Sequence, residues 1–340
     1  MALDYTGKEA VRGRQIAEIA VEQLYQDQSI AKGIIAVDTG AKHGVTKTET
    51  SNDVNEQAYT GQALTADGNF TLFDYQVNHV KGESKVDILT DTLRDTPFAD
   101  DMSPGAANID SSRFMQLAAD QLGGKVAYKA QVQRWIGVDA ATKVAIAALT
   151  PGAGQGSITA AMQTKIAALP TTLRNGWLAS TLYNAWNATK TAGLGTYIKV
   201  TGTTLTSANV ADEFAKIYVK IPVVERDDKF NPYILNAPLS VKALIKIANN
   251  SVGAASNKNF LDENDNISYN GIAINFVELP DNVILGAPSK SLALNMDLES
   301  DDNMLEVGEY ANGSDVKYFR NINAWSVHVS RQGKNVLYGG

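Results

Sequence analysis

The chain contains no cysteine, which excludes disulfides, thiolate metal sites and cysteine nucleophiles together. Histidine is scarce. His43, His79 and His328 are the whole set, far apart and without the paired spacing of a metal site, so they read as surface or structural groups. Long apolar runs are missing as well: no stretch approaches the roughly 18 uncharged apolar residues a membrane span needs, and no membrane partner is expected. Positive charge is in deficit, with 30 Lys and Arg against 37 Asp and Glu, a net −7 and a pI near 5.1. A dedicated nucleic-acid binder would show a basic stripe instead. The opening residues, MALDYTGKEAVRGRQ, carry charge where a secretory signal places its apolar core, which predicts a soluble product of the cytoplasm.

What is present suffices for a sizeable core. The 340 residues are 44% hydrophobic and 20% charged, enough for two domains or one elongated domain with extensions. Over residues 8–26, Val11, Ile16, Ile19 and Leu24 recur at close to 3.6-residue spacing, predicting an amphipathic helix whose apolar face a core or a neighbouring subunit must cover. A short apolar strand is expected at 33–37. Residues 42–69 are polar and Thr/Asn/Gly-rich, too long a structureless stretch for a compact domain. The alternation in 70–75 and 78–88 makes this region a projecting β-hairpin loop, ordered best by a partner.

Ser103-Pro104 opens a long helix over 106–136, striped by Phe114, Leu117, Leu122 and Val126 and closed by Trp135-Ile136-Gly137. Gly123-Gly124 interrupts it, at about 1 kcal/mol per Gly against Ala, so a bend there or two separate helices are both expected. A flexible linker at 150–157 precedes helices at 158–168 and 173–192, with further helices at 208–220 and 238–250 and a buried strand at 232–236. The last seventy residues are β-rich with tight turns. Strands are expected at 272–276 and 283–285, then in the LALNMDL segment, then in a final pair ending Trp325-Ser326-Val327-His328-Val329.

No catalytic or cofactor site assembles from the residues. Ile35-Ala36-Val37-Asp38-Thr39-Gly40-Ala41 resembles an aspartic-protease loop, but that chemistry needs two carboxylates sharing a proton. One Asp-Thr-Gly would require a dimer, and the nearest apolar-apolar-Gly partner, Ile284-Leu285-Gly286, lies far away; a strand ending in a turn is the simpler reading. Gly152-Ala153-Gly154-Gln155-Gly156-Ser157 lacks the Lys of a phosphate loop. A calcium loop from Asp262 would need Gly and Glu where Ile267 and Ala273 stand, which leaves a hairpin turn. Asp297, Glu299, Asp301 and Asp302 read as a solvated acidic turn or as salt-bridge partners of a neighbour.

Two stretches carry a family resemblance. FDYQVNHVKGESKVDIL leads to a long helix ending QRWIG; later PLSVKALIKI, then GIAINFVELPDNVILGAPSKSLALNMDLESDD, precede the last strands. In that order the chain resembles major capsid proteins of tailed bacteriophages of the Hong Kong 97 type. The resemblance implies an α+β, Hong Kong 97-like capsid fold with an N-terminal arm (1–40), an extended β-hairpin loop with flanking strands (41–90), and a peripheral domain (91–194). That domain would hold a spine helix (106–136) and a helical insertion. An axial domain (195–290) and return strands of the peripheral domain (291–340) complete it.

The implied function is self-assembly, as pentamers and hexamers, into an icosahedral head shell around double-stranded DNA. It is a structural role and not an enzyme's, without cofactor or metal, and without sequence-specific DNA binding. An acidic wall that does not grip its DNA fits the charge. Implied partners are other copies, a separate scaffolding protein or none, a portal and a decoration protein; implied location is the virion, after assembly in the host cytoplasm. Ile16, Ile19 and Leu24 on the arm, and Phe70, Leu72 and Tyr75 near the loop base, are the expected assembly contacts. Competing readings are an encapsulin-like nanocompartment shell, a dimeric aspartic protease at Asp38, and a tail-tube or adhesin component.

Overall fold

The computed structural model describes residues 28–54, 68–89, 125–126, 128–152, 158–183, 197–251, 260–263, 266–296, 304–309, 316–330 and 332–339. Ile16, Ile19, Leu24, Gly123-Gly124 and the Asp297–Asp302 turn lie outside them.

Two large sheets, with a separate two-stranded one, organise the described residues. The larger has seven strands: β5 (Ile198–Thr201), β6 (Tyr233–Pro238), β7 (Phe260–Glu263), β8 (Asn266–Tyr269), β9 (Ile272–Val277), β10 (Val283–Pro288) and β14 (Val336–Gly339). Their order is β5-β14-β10-β6-β9-β8-β7, with β14 parallel to β5 and β6 parallel to β9. Helices Val210–Lys220 and Leu239–Ser251 accompany it.

The central strands of this sheet are buried on both sides and alternate between two cores, as the period-2 geometry of a strand requires. Val283, Leu285, Ala287, Ile234 and Leu337 enter one core, whereas Ile284, Tyr233, Leu235, Val336 and Tyr338 enter the other. The second core is closed by Val210, Phe214 and Ile217 from one helix and Val241, Ile245 and Ala248 from the other. Both helices show their apolar residues at the 3- and 4-residue spacing that made them legible in the sequence.

The other sheet contains β1 (Ala36–Thr39), β4 (Val80–Leu89), β11 (Leu292–Met296), β12 (Met304–Glu309) and β13 (Val316–Val329). The fourteen-residue β13 is its axis: β12 and β4 pair along its first part, and β11 along its end. β1 joins the edge of β11 in parallel, so part of the expected arm is built into the body. Within 291–340, β14 belongs to the seven-stranded sheet and β11 to β13 belong to the five-stranded one.

A helical layer fills the first core. Helical residues 128–136 end at Gly137, as the Trp135-Ile136-Gly137 signal predicts; residues 106–124 of the expected spine lie outside the described set. Helix Ala140–Ala147 starts at Asp139, whose Oδ1 accepts from Thr142 N–H at 2.6 Å. Helix Ala160–Ala168 starts at Thr159 in the same way, through Met162 N–H at 3.0 Å. Gln163 Nε2 sits among the last carbonyls of the previous helix, 2.8–3.0 Å from those of Ile146, Ala147 and Leu149, and satisfies groups the helix leaves open.

Two sequence expectations change. The polar stretch over 42–69 was expected to lack regular structure, yet it supplies β2 (Thr46–Val54), which pairs antiparallel with β3 (Gly68–Gln76). The hairpin is therefore β2–β3, and β4 pairs with β13 instead. No apolar alternation marks β2; only its β-branched Thr46, Thr48, Thr50 and Val54 favour a strand. The helix expected over 173–192 is confined, among the described residues, to Trp177–Leu182. Its lead-in is held off helix geometry because Asn175 is bonded across to Asp139, with Asn175 Nδ2 on Oδ2 at 2.7 Å and Asp139 N–H on Asn175 Oδ1 at 2.9 Å.

Candidate assembly surfaces

The β2–β3 hairpin has a defined foot. Gly44 N–H donates to the Val77 carbonyl at 2.8 Å and Val77 N–H to that of Val45 at 2.9 Å. Beside these, His79 N–H donates to His43 Nδ1 at 3.0 Å. The His79 ring bonds the Ala41 carbonyl through Nε2, and its Nδ1 lies 3.4 Å from Ser326 Oγ on β13. Two histidines that are remote in sequence are thus neighbours, with ring centroids 6.4 Å apart. Their hydrogen-bond roles tie the hairpin to the sheet.

Past the foot, Arg174 fixes the start of β4. Its Nε donates to the Val80 carbonyl at 2.7 Å, and its Nη2 to Asn323 Oδ1 and the Asn323 carbonyl, each at 2.6 Å. The guanidinium lies over the Trp325 ring, 4.5 Å from its centroid, with Arg134 at 5.6 Å. A buried cation so fully bonded is structural. The helix ends beneath it approach closely: a Cβ on Gly176 would stand 2.6 Å from the Arg134 carbonyl, and one on Gly137 2.7 Å from that of Arg174. Trp135 and Trp177 pack there with centroids 4.8 Å apart.

The hairpin foot, the helix Ala140–Ala147 and β13 enclose a cavity of about 960 Å³, reached by Thr46, Asn78, Thr142, Asn175 and His328. Its walls mix amide, hydroxyl, imidazole, carboxylate and guanidinium groups, from Asn175, Ser326, His328, Asp139 and Arg174 among others. Among the described residues no three His, Asp or Glu groups converge as a metal site, and no helix is long and apolar enough to cross a membrane.

Of the expected contact residues, Phe70, Leu72 and Tyr75 fall on β3, in register with Asn52, Thr50 and Lys47 of β2. Asp38 lies within β1, in register with Asn295 of β11. The Ile284-Leu285-Gly286 segment is buried in β10, in the other sheet, so the two halves of a protease-like pair are not juxtaposed within the chain. The segment at 262–266 is bounded by the antiparallel strands β7 and β8, in line with a hairpin turn.

The seven-stranded sheet has its own exposed feature at the end of helix Val210–Lys220, where Val219, Val223, Val224 and Phe230 project into solvent. Beneath it, buried Glu225 is ion-paired with Lys334, and Arg226 lies over Tyr218 at 4.6 Å. The sequence reading missed this patch because none of the four residues breaks a periodic pattern; only their crowding into twelve positions marks them.

This architecture is found in solved shells. The chain aligns over 93% of its length with 96% of a chain in the satellite phage P4 procapsid including size determination (Sid) protein, at 11% identity and a TM-score of 0.51. It also aligns with a chain in the capsid of Myoviridae phage XM1 (13% identity, 92% of each chain, TM-score 0.46). A third match is the virus-like particle from Pyrococcus furiosus (10% identity, 95% of this chain and 97% of that one, TM-score 0.46). No family model and no curated protein matches the sequence. The fold is that of the Hong Kong 97-type capsid proteins, an α+β fold.

Proposed function

We propose that this chain is the major subunit of an icosahedral head shell that encloses a phage's double-stranded DNA. The observation that carries the reading is the end-to-end alignment with the P4 procapsid chain at a TM-score above one half. The role is structural: copies associate as pentamers and hexamers through heterologous patches that close into rings, and several weak contacts per subunit act together. Residues 1–40 serve as an arm, 41–90 as the extended loop, 91–194 with its 106–136 spine as the peripheral domain, 195–290 as the axial domain and 291–340 as the return. Ile16, Ile19, Leu24, Phe70, Leu72 and Tyr75 become buried on assembly. Scaffolding, portal and decoration proteins are the further partners, and assembly proceeds in the host cytoplasm to give the virion.

Size-exclusion chromatography followed by negative-stain electron microscopy tests the proposal. Closed icosahedral particles are expected, and their diameter separates a viral head from a small encapsulin-like compartment. Tubes or fibres would favour a tail component. A discrete dimer that cleaves peptides at acid pH, with activity lost in Asp38→Ala, would overturn the shell reading. Leu24→Asp is expected to block particle formation; unaffected assembly removes the arm assignment.

A further inference from the structure

β13 loses one of its two neighbours before it ends. Trp325 is in register with Val80 of β4 and with Met296 of β11, so those strands flank it on opposite sides. β4 begins at Val80 because the chain before it bends into the hairpin foot, where His79 gives its backbone N–H to His43 Nδ1 at 3.0 Å. β11 continues beside β13 to Val329. Among the described residues no strand pairs with 326–329 on the β4 side.

The alternation of strand backbone identifies the groups left open, since the N–H and C=O of successive residues point to opposite sides. The Met296 carbonyl accepts the N–H groups of Gly40 and Ala41, each at 3.0 Å, and so points away from β13. The Ser291 carbonyl accepts Ser330 N–H at 2.8 Å and so points toward it. Ser326 and His328 therefore turn their backbone groups to β11. Val327 and Val329 turn theirs to the side that β4 does not reach.

That side is the cavity of about 960 Å³, which 326–329 line together with Ala141, Thr142 and Leu173. Asn295, 1% exposed, lines it too, and its Oδ1 has no hydrogen-bond partner among the described residues. Leaving such an acceptor unmade is costly. The wall does not suit a phosphate backbone: the Arg174 guanidinium is bonded to Val80 and Asn323, and the Asp139 carboxylate stands in the same lining. Donors and acceptors repeating every second residue match an extended peptide instead. Every described strand already lies in a sheet, so a second copy has no described strand to lend.

We propose that the edge of β13 at Val327 and Val329 is a binding site for an extended peptide of a separate protein, which joins the sheet as one more strand. Two residues facing the site with both backbone groups supply about four hydrogen bonds. Peptide side chains alternate between the two faces of the sheet. Those on the face of Ser326 and Asn295 are small and hydroxyl-bearing, one donating to Asn295 Oδ1; those on the face of Val327 and Val329 are apolar. The site belongs to the fold of the single subunit and does not depend on the shell reading.

Selection of short linear peptides from a random displayed library, with the full chain as target, tests the proposal. Selected peptides are expected to alternate apolar residues with Ser or Thr. They should lose at least about tenfold in affinity against Ala141→Trp, whose ring enters the cavity from an exposed helix position. Val327→Pro removes a donor on the open side alone and leaves the β11 ladder in place; the same loss is expected, with the unfolding midpoint close to the parent's. N-methylation of alternate residues of a selected peptide should abolish binding in one phase and be tolerated in the other, a pattern that side-chain contacts alone would not give. Peptides that bind both variants as tightly as the parent, or a selection that returns no binder, overturn the proposal. Slow hydrogen exchange at the Val327 amide of the chain alone also overturns it. Protection at every concentration would mean that the chain covers its own edge, and protection that grows with concentration that a second copy does.

Discussion

His79 donates its backbone N–H to His43 Nδ1 across 3.0 Å, although the two residues stand 36 positions apart. The bond lies where the β2–β3 hairpin leaves the body, so an imidazole acceptor helps to set where the hairpin begins.

Replacing His43 by Ala removes that acceptor. An orphaned buried donor costs about 1–3 kcal/mol; this one is partly buried, and about 1 kcal/mol is expected. Hydrogen exchange at the His79 amide should accelerate in the variant. An amide that exchanges as slowly as in the parent would mean the ring is not its acceptor.

Arg174 makes a stronger prediction. Its three bonds to Val80 and Asn323 involve a buried cation, and bonds to charged groups contribute about 1.5–3 kcal/mol each. Arg174→Met should lower stability by roughly 3 kcal/mol or more, read from the denaturant midpoint. Arg174→Lys should not restore it, because an ammonium cannot reproduce the planar fork. A Lys variant as stable as the parent would refute that geometry.

Acid sensitivity should trace to Glu213. Burial alone would raise this carboxyl, but hydrogen bonds from Lys216, Thr203 and Tyr338, together with the Lys216 charge, outweigh burial and hold it below its ordinary value. A carboxyl depressed in the folded state stabilises the fold above its unfolded value of about 4.3, and that contribution is lost as pH falls through the lower folded value. The stability gap between parent and Glu213→Gln should therefore be widest near neutrality and narrow below about pH 4. Denaturant titrations at several pH values that show a constant gap would refute the linkage.

Gly202 faces the Tyr338 ring so closely that an added Cβ would stand 2.0 Å from it. Gly202→Ala should cost about 1–3 kcal/mol by overpacking. In a Tyr338→Leu background the same change should cost less, since the two residues share one space. Strict additivity in thermal melts would place the strain elsewhere.

The sequence disclosed whichever elements carry their partner's imprint. Helix Leu239–Ser251 was expected at 238–250 and helix Val210–Lys220 at 208–220, because each shows one apolar face to one core. Strands β10 and β11 were legible as apolar runs because both of their faces are covered. β2 was not, since neither face of TKTETSNDV is apolar and its identity as a strand comes from β3. Helix Ala140–Ala147 was also missed, its Ala-rich sequence showing little face at all. The parallel pairing of Ala36–Thr39 with Leu292–Met296 and the His43–His79 contact join remote segments through topology, which periodicity does not record. The exposed group around Phe230 lay in plain view in the sequence, but its exposure is a property of the fold.

The fourteen residues of β13 have one further implication. At about 3.3 Å per residue the strand is a beam of roughly 46 Å, gripped near Trp325 by Arg174 and Met296 and flanked by β12 and β4 toward its other end. β4 runs beside it from Val316 to Trp325 and β11 from Trp325 to Val329, so the strand turns with its neighbours as one stiff unit. A rotation of about 5° at the grip would carry its far tip by roughly 4 Å over that length, about the spacing of two paired strands. Small angular differences at the grip would then be read out as whole-strand displacements at the far tip.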